Sequence, residues 1–147
     1  MADTVTSQTI ADGDKIAILK FTNVSDGSGE SAVKKVDVSA LASNSQGAAC
    51  TGVKVAKIWW ACRGMGVNIE FDASTNVLIT GLPADSTGDE YYDEVFTGIP
   101  NNAGSGKTGD IDFTTVSASS GNTYSIILEL VKTCLLYTSD AADEERG

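Results

Sequence analysis

The residues most suggestive of chemistry lie at positions 104–108, where the sequence reads GSGKT. Glycine followed by Lys107 and Thr108 ends a phosphate-binding loop, whose full pattern is G-x-x-x-x-G-K-[ST]. The first glycine of that pattern would fall at Asn101, and a helix would have to follow so that its amide groups point at the phosphate. Residues 111–116, IDFTTV, alternate instead as a strand. We therefore predict a flexible loop between strands and no nucleotide site.

A second group with chemical potential is a set of five carboxylates within residues 85–94. Carboxylate oxygens are ligands that calcium prefers, but their spacing differs from that of an EF-hand, which has glycine at the sixth position. A solvated loop is predicted, and calcium binding there is left open. The pairs Asp12/Asp14 and Asp110/Asp112 are predicted to be turn and strand-edge residues. The five carboxylates are those of Asp85, Asp89, Glu90, Asp93 and Glu94.

The composition argues against several classes of enzyme. The 147 residues include no histidine, which removes the commonest general base, a frequent zinc ligand and every triad that uses imidazole. Twenty acidic and ten basic residues give a net charge of −10 without a basic run, which disfavours binding to nucleic acid. We expect a non-enzymatic protein with no catalytic, cofactor-binding or metal-ligating residues.

The sequence also predicts where the chain is made and stays. No stretch approaches the roughly 20 apolar residues of a membrane-spanning helix. The opening MADTVTSQTIADGD has no basic region followed by an apolar run, so no signal peptide is expected. The protein is expected in the cytoplasm of the producing cell, with Cys50 and Cys62 as reduced, buried thiols.

Four aromatic residues are the candidate protein-contact residues. Trp59 and Trp60 are adjacent on a predicted strand, so their side chains point to opposite faces. One is expected in the core, and the other beneath a loop or in a subunit contact, where tryptophan is favoured. Tyr91 and Tyr92 stand between acidic residues and are expected to be contact residues. Core or loop packing, protein contact and sugar binding stay open for these aromatics.

The spacing of apolar residues predicts an all-β chain. Fifteen glycines and two prolines fit short strands joined by tight turns. Alternation places Val67, Ile69 and Phe71 on one inner face. We expect a single antiparallel β-sandwich or jelly-roll-like domain of about eight strands. The predicted strands are residues 4–10, 15–24, 32–38, 53–62, 65–72, 77–80, 110–116 and 123–131.

Three regions carry more detailed expectations. Residues 15–38 are predicted to form a hairpin whose first strand is covered on both faces, since Ile16 and Ile18 alternate with other apolar residues. Residues 110–131 are predicted to form a final hairpin. Residues 81–100 are predicted to be an acidic excursion with little regular structure, and residues 4–10 to be an edge strand.

The last 14 residues, CLLYTSDAADEERG, differ in character from the rest of the chain. The strand pattern ends at Lys132, and a helix-prone acidic run follows. Residues 134–144 resemble the conceptual translation of a transposase-type sequencing adapter. We predict that residues 1–133 form the β-sandwich domain and that residues 134–147 are a non-native, adapter-derived tail.

Several longer segments carry a resemblance to known proteins. They are MADTVTSQTIADGDK at the start, LKFTNVSDGSGESAVKKVDVSAL at 19–41, KIWWACRGMGVNIEFDA at 57–73, IPNNAGSGKTGDIDFTT at 99–115 and SIILELVK at 125–132. Together they resemble small virion structural proteins of marine tailed bacteriophages such as cyanophages. The resemblance implies that GSGKTGDI is a structural loop, and it supplies no catalytic residues.

This resemblance sets the functional expectation. The chain is expected to be a head-decoration or accessory capsid protein, assembled in the host cytoplasm and located in the virion. Its expected partners are the major capsid protein or other virion proteins and further copies of itself, with no nucleic acid and no membrane. The alternative is a carbohydrate-binding or adhesion module on the particle surface. A hydrolase would require two carboxylates to converge in a cleft.

Overall fold

The computed structural model describes residues 3–91 and 98–134. Within these ranges the chain forms nine β-strands and one three-residue 3-10 turn, Val38–Ala40. The strands are Thr4–Asp12 (β1), Ile16–Val24 (β2), Val33–Val36 (β3), Cys50–Arg63 (β4), Gly66–Phe71 (β5), Val77–Leu82 (β6), Ser86–Tyr91 (β7), Ile111–Val116 (β8) and Thr123–Cys134 (β9).

The strands form two antiparallel sheets that face each other. Sheet A has the order β1-β2-β9-β4-β7, and sheet B has the order β3-β8-β5-β6. Phe113 of sheet B meets two rings of sheet A edge to face, with centroids 5.4 Å from Phe21 and 5.8 Å from Tyr124. The predicted all-β, antiparallel sandwich is therefore confirmed, with β1 as an edge strand of sheet A.

The core lies between the two sheets and follows the predicted alternation. Val67, Ile69 and Phe71 of β5 are at most 1% exposed. The inward side of β9 begins with Tyr124, also 1% exposed, and continues through every second residue. Burial of each large apolar side chain contributes about 1.5–3 kcal/mol to folding. This shared layer holds the two sheets together.

The prediction of little regular structure in residues 81–100 is wrong for its first half. β7 pairs with β4, from Tyr91 opposite Lys57 to Ser86 opposite Cys62. Five of the six β7 residues are exposed. Because alternation is visible only when one face of a strand is buried, an edge strand exposed on both faces has no such signal. β7 raises the strand count from eight to nine.

Both long hairpins were predicted wrongly. β2 and β3 lie in different sheets, as do β8 and β9. Residues 25–29 instead carry the chain across the sandwich. The Asp3 carboxylate stabilises this crossing by accepting hydrogen bonds from the Ser25 hydroxyl at 3.2 Å and from the N–H groups of Asp26 and Gly29 at 3.0 and 3.3 Å. Turn residues indicate a change of direction but do not determine which sheet the next strand joins.

The first strand of the predicted hairpin is covered on one face only. Ala17, Leu19 and Phe21 of β2 are buried, whereas Ile16 on the outer face is 37% exposed. The prediction that both faces are covered is wrong for the single chain, because sheet B packs against the inner face alone.

The last strand continues past the point where the sequence pattern ends. β9 extends through Thr133 to Cys134, which stands opposite Cys50 of β4. Residues 135–147, most of the predicted tail, lie outside the described residues.

Candidate protein-contact site

Trp59 and Trp60 point to opposite faces of sheet A, as their adjacency on β4 predicts. Trp60 is the inner one, because it packs against the hydrophobic core. Its Nε1 donates a hydrogen bond to Ser86 Oγ at 3.0 Å. Gly88 of β7 stands directly opposite, and a Cβ atom there would lie 3.0 Å from Cζ2 of the indole. Trp60 is therefore the tryptophan that was expected to pack in the core.

On the outer face, Lys57, Trp59, Asp89 and Tyr91 form one group, the Trp59 cluster. The register places Lys57 opposite Tyr91 and Trp59 opposite Asp89. The Lys57 ammonium lies 4.8 Å from the centre of the Trp59 ring and 5.0 Å from that of Tyr91. It also lies 3.5 Å from the Asp89 carboxylate. Cation–π contacts at exposed sites contribute about 0.5–1 kcal/mol each.

The Trp59 cluster is suited to contact with another surface. Tyr91 is 48% exposed, and Ile127 of β9 stands beside Trp59 on the same outer face. Aromatic residues are enriched at protein interfaces. Because its members lie at alternate positions of two paired strands, on the side away from the core, the cluster lies on the open face of the sheet. The fourth candidate, Tyr92, lies outside the described residues.

β1 presents a second surface that sequence reasoning identified only as an edge strand. Every residue from Thr4 to Ala11 is exposed, and this stretch carries no charge. Among the described residues, only one side of β1 is paired in its sheet, with β2. Two cavities, of ≈ 210 and ≈ 230 Å³, lie between β1 and the opposite sheet, and Lys35 lines both of them. Val5 and Ile10 are 45% and 49% exposed.

The GSGKT segment is a connection between strands. The N–H of Lys107 donates to the carbonyl of Gly104 at 3.1 Å, and that of Ser74 donates to the carbonyl of Ser105 at 3.0 Å. β8 follows at Ile111, where a phosphate-binding loop would begin a helix. The predicted inter-strand position is confirmed, and Ser74 fastens the loop to the β5–β6 turn.

The acidic segment does not gather its carboxylates into one site within the described residues. Asp85 occupies a turn and accepts a hydrogen bond from the N–H of Gly64 at 2.8 Å. Asp89 and Glu90 are neighbours on β7, while Asp93 and Glu94 lie outside the described residues. In the part of the chain that the structure describes, no three acidic or sulfur side chains are arranged to hold a metal ion.

Lys132 is a buried cation that the sequence analysis did not single out. Its side chain is 0% exposed, and its ammonium lies 2.7 Å from each of three acceptors: an Asp12 carboxylate oxygen and the carbonyls of Gly13 and Ala42. Desolvation opposes ionisation of Asp12, but the bonds from Lys132 and the Ala42 N–H hold its pKa below the ordinary value. Lys132 therefore joins β9 to two other segments, the end of β1 at Asp12–Gly13 and the loop at Ala42.

A signal for Lys132 does exist in the sequence. Side chains on a strand alternate, so the inward positions that begin at Tyr124 fall on every even residue and include Lys132. A charged side chain on the buried face requires partners. The predicted turn position is confirmed for Asp14, which accepts a hydrogen bond from the N–H of Ser45, but Asp12 is the last residue of β1.

A second buried polar group connects the two sheets. The Glu30 carboxylate binds the Lys35 ammonium at 2.5 Å, with side chains 6% and 8% exposed. Its other oxygen accepts a hydrogen bond from the Tyr124 hydroxyl at 2.6 Å. Burial, and then the neighbouring Glu30, raise the pKa of Tyr124 well above its usual value. This group fixes the crossing between β2 and β3.

Two of the cysteines, Cys50 and Cys62, are buried in unreactive surroundings. Cys50 and Cys62 are free thiols, 5% and 1% exposed. Burial raises the pKa of Cys62 to about 11 and also raises that of Cys50. Because the thiolate is the nucleophile, neither position favours thiol chemistry near neutral pH.

Comparisons with known proteins do not identify a relative. No family model, no curated protein and no solved structure matches the chain. Within residues 3–91 and 98–134, no helix is long and apolar enough to cross a membrane.

Proposed function

We propose that this chain is a non-enzymatic structural subunit of a bacteriophage particle. In this proposal it is a head-decoration or accessory capsid protein that stabilises the shell through contacts with the major capsid protein, other virion proteins or further copies of itself. It assembles in the host cytoplasm and then remains in the virion. Two features support the proposal: the resemblance of segments within residues 1–133 to small phage virion proteins, and the exposed edge of β1.

The exposed edge of β1 is the observation that carries the proposal. Sheet edges in soluble proteins are commonly protected by charge, shortness or bulges. At the opposite edge of sheet A, β7 carries Asp89 and Glu90, and the edge strand β3 of sheet B is four residues long with two lysines. β1 is nine residues long and uncharged until Asp12, and its register shift, between Thr9 and Ala11, lies near its C-terminal end and leaves Thr4 to Thr9 regular. Such an edge is suited to pairing with an extended segment of a neighbouring subunit.

The Trp59 cluster supplies a second contact at the far side of sheet A. It combines exposed aromatic surface with a paired lysine and carboxylate, a composition found in protein interfaces. β1 and β7 are the two edges of the same sheet. A subunit with contacts at both edges can bind two neighbours at once, as stabilisation of a shell requires.

The alternative of a carbohydrate-binding module has less support. Sugar sites are concave, with a few convergent polar groups, whereas the Trp59 cluster lies on the open face of a sheet. A glycan array tests this alternative directly. Specific binding that is lost in Trp59→Ala would favour the adhesion module over the shell subunit.

Mass spectrometry of purified phage particles tests the proposal. The protein is expected at high copy number, and its absence from particles would contradict the assignment. A variant then tests the role of β1: Thr6→Lys with Gln8→Glu places a charged pair on the edge and keeps the net charge. Since Gln8 stands opposite Lys20, the new carboxylate has a partner within the fold.

The variant is expected to fold and to be lost from particles. Asn102→Lys with Ser105→Glu is the matched control, because it places the same charged pair at exposed loop positions outside both β1 and β7. Circular dichroism verifies folding of both proteins. Normal incorporation of the β1 variant would exclude β1 as the contact. The virion assignment would be unaffected, because mass spectrometry of the particles tests it separately.

A further inference from the structure

Four carboxylates occupy neighbouring positions on the outer face of sheet B. Glu70 of β5 stands directly opposite Asp112 of β8. Two residues further along, the N–H of Asp72 donates to the carbonyl oxygen of Asp110 at 3.0 Å. Because side chains alternate along each strand and the residues between them are buried in the core, all four point to the same side. Like charges at adjacent cross-strand positions repel each other, so this group needs compensation.

Two of the carboxylates have their own charged or hydroxyl donors. Asp110, 4% exposed, binds the Lys34 ammonium at 2.8 Å and accepts a hydrogen bond from the N–H of Val38 at 2.9 Å. Asp72 accepts a hydrogen bond from the Thr108 hydroxyl at 2.7 Å. The hydrogen bond from Thr108 helps to hold the pKa of Asp72 below its ordinary value.

Asp112 lacks comparable compensation. It is 2% exposed, and one of its oxygens accepts a hydrogen bond from Asn76 Nδ2 at 3.0 Å, a group that also serves Glu70 at 3.1 Å. Its other oxygen, Oδ1, has no hydrogen-bond donor among the described residues. Lys34 stands opposite Asp112 in the register of β3 with β8, but its ammonium is bound to Asp110.

Oδ1 of Asp112 gains a hydrogen-bond partner if it carries a proton, because it can then donate to a neighbouring carboxylate. Glu70 stands opposite Asp112 and Asp72 stands beside Asp110, so Asp72 is the diagonal cross-strand neighbour of Asp112 on the same face. The two carboxyls are close enough for a hydrogen bond. Two ionised carboxylates only accept, whereas a protonated one donates to an ionised neighbour. Burial, and then the hydrogen bond to Asp72, raise the pKa of Asp112 to about 7. The same hydrogen bond lowers the pKa of Asp72.

We propose that Asp112 holds a proton in the folded protein near neutral pH and donates it in a hydrogen bond to Asp72, forming a proton-dependent latch. The latch joins β8 to the end of β5 and to the 101–109 loop, since Thr108 donates its hydroxyl to Asp72 and its N–H to the Asp72 carbonyl at 3.3 Å. When the proton is lost, the two ionised carboxylates of Asp112 and Asp72 repel each other, and the 101–109 loop becomes less firmly held.

The anions around the latch favour retention of the Asp112 proton, and in the described part of the chain Lys34 is the one charged neighbour that opposes them. Glu70 on β5 and Asp110 on β8 are further anions, and Lys34 on β3 is the cation that pairs with one of them. The other residues that contact these carboxylates, Asn76, Thr108 and Thr114, are neutral. Three anions beside one paired cation favour retention of the fourth proton.

Carbon-detected NMR of the labelled full chain tests the latch, because it follows each aspartate carboxyl carbon as the pH changes. We expect the pair to titrate in two steps between roughly pH 3 and pH 9, one below the ordinary aspartate value and one near neutrality. The Thr108 amide signal is expected to move with the neutral step. Asp72→Asn should lower the Asp112 midpoint by about one unit or more, since it removes a neighbouring anion.

Two variants complete the test. Asp89→Asn on sheet A is the matched control and should leave the Asp112 midpoint unchanged. Asp112→Asn donates to Asp72 through its amide and should keep the Asp72 midpoint low. A single step for both carboxyls at the ordinary aspartate pKa would overturn the proposal. So would a neutral step that vanishes when millimolar calcium chloride is added, because the group would then be a cation site.

Discussion

The indole of Trp60 lies over Gly88, its directly opposed neighbour on the adjacent strand, and its Nε1 donates to Ser86 two residues away. The ring thus fills the space that a side chain at position 88 would otherwise occupy. This contact fastens β7, an edge strand with little burial of its own, to the sandwich. The edge that presents Tyr91 therefore depends on an aromatic residue on the opposite face.

A substitution at Gly88 tests this dependence. Valine normally favours strands, but the added Cβ would meet the indole at 3.0 Å. Gly88→Val is expected to lower the free energy of unfolding by about 1–3 kcal/mol, as overpacking does. Urea denaturation measures the loss. Thr87→Val, on the exposed neighbouring position, is the control and should be nearly neutral; equal stability of both variants would contradict the packing described.

The two tryptophans should respond differently to the same probes. Trp60→Ala removes a ring packed against the core and is expected to lower the free energy of unfolding by about 2–4 kcal/mol. Trp59→Ala loses mainly the contact with Lys57, about 0.5–1 kcal/mol. The indole that remains in Trp60→Phe should be quenched more strongly by acrylamide than the one that remains in Trp59→Phe, because Trp60 packs against the core. Equal quenching in the two proteins would contradict the assignment of Trp60 to the inner face and Trp59 to the outer face.

Removal of the Lys132 ammonium should be among the most damaging single changes. Lys132→Met leaves the Asp12 carboxylate without its cation, and it leaves two carbonyl groups without the ammonium donor. Loss of one partner of a buried ion pair lowers the free energy of unfolding by about 3–5 kcal/mol. Adding Asp12→Asn to Lys132→Met should restore part of the lost stability, because the carboxylate charge left without a cation is removed. Lys107→Met on the exposed loop is the control, and a similar loss there would contradict the argument.

The Asp72–Asp112 proton predicts a specific dependence of stability on pH. The folded pKa of Asp112, about 7, lies above its ordinary value of 3.8, so the folded state holds a proton that the unfolded state has released. This stabilisation is complete below about pH 4 and is lost as the pH rises through neutrality. The difference in unfolding free energy between the natural chain and Asp112→Asn should therefore fall, by at most about 1.4 kcal/mol per pH unit, and then level off.

The carboxylates with lowered pKa act in the opposite sense. Asp12 contributes stability above its ordinary pKa and loses it as the pH falls through the lower folded value. Because Asp12 is present in both proteins, its contribution cancels in the difference. Denaturant titrations at a series of pH values measure that difference, and a constant value from acid to neutral pH would contradict the prediction.

Local sequence patterns predicted which residues face the core. The alternation through Val67, Ile69 and Phe71 is confirmed, and so is the separation of Trp59 from Trp60. These features depend only on the two-residue period of a strand. The same period places Lys132 inside, so attention to charged residues at inward positions would have found its partners in the turn after β1.

Features that depend on strand pairing could not be predicted. The Trp59 cluster requires β7 to lie beside β4, and the latch requires Asp72 and Asp112 to lie on adjacent strands. Both pairings join segments far apart in the sequence, and the turns between strands do not specify them. The predicted hairpins failed for this reason, since the connections at residues 25–32 and 117–122 cross between sheets.

The central position of β9 has a consequence for the order in which the chain can fold. β9 lies between β2 and β4 in sheet A. Without β9, no hydrogen-bonded strand of the described chain connects the β1–β2 half of the sheet to the β4–β7 half. A ribosome must therefore release residues 123–134 before the sheet can close. Until then the growing chain exposes apolar faces, and its folding awaits contacts of long sequence separation, which are slow to form. The nascent protein should consequently depend on chaperones until its last described strand has been made.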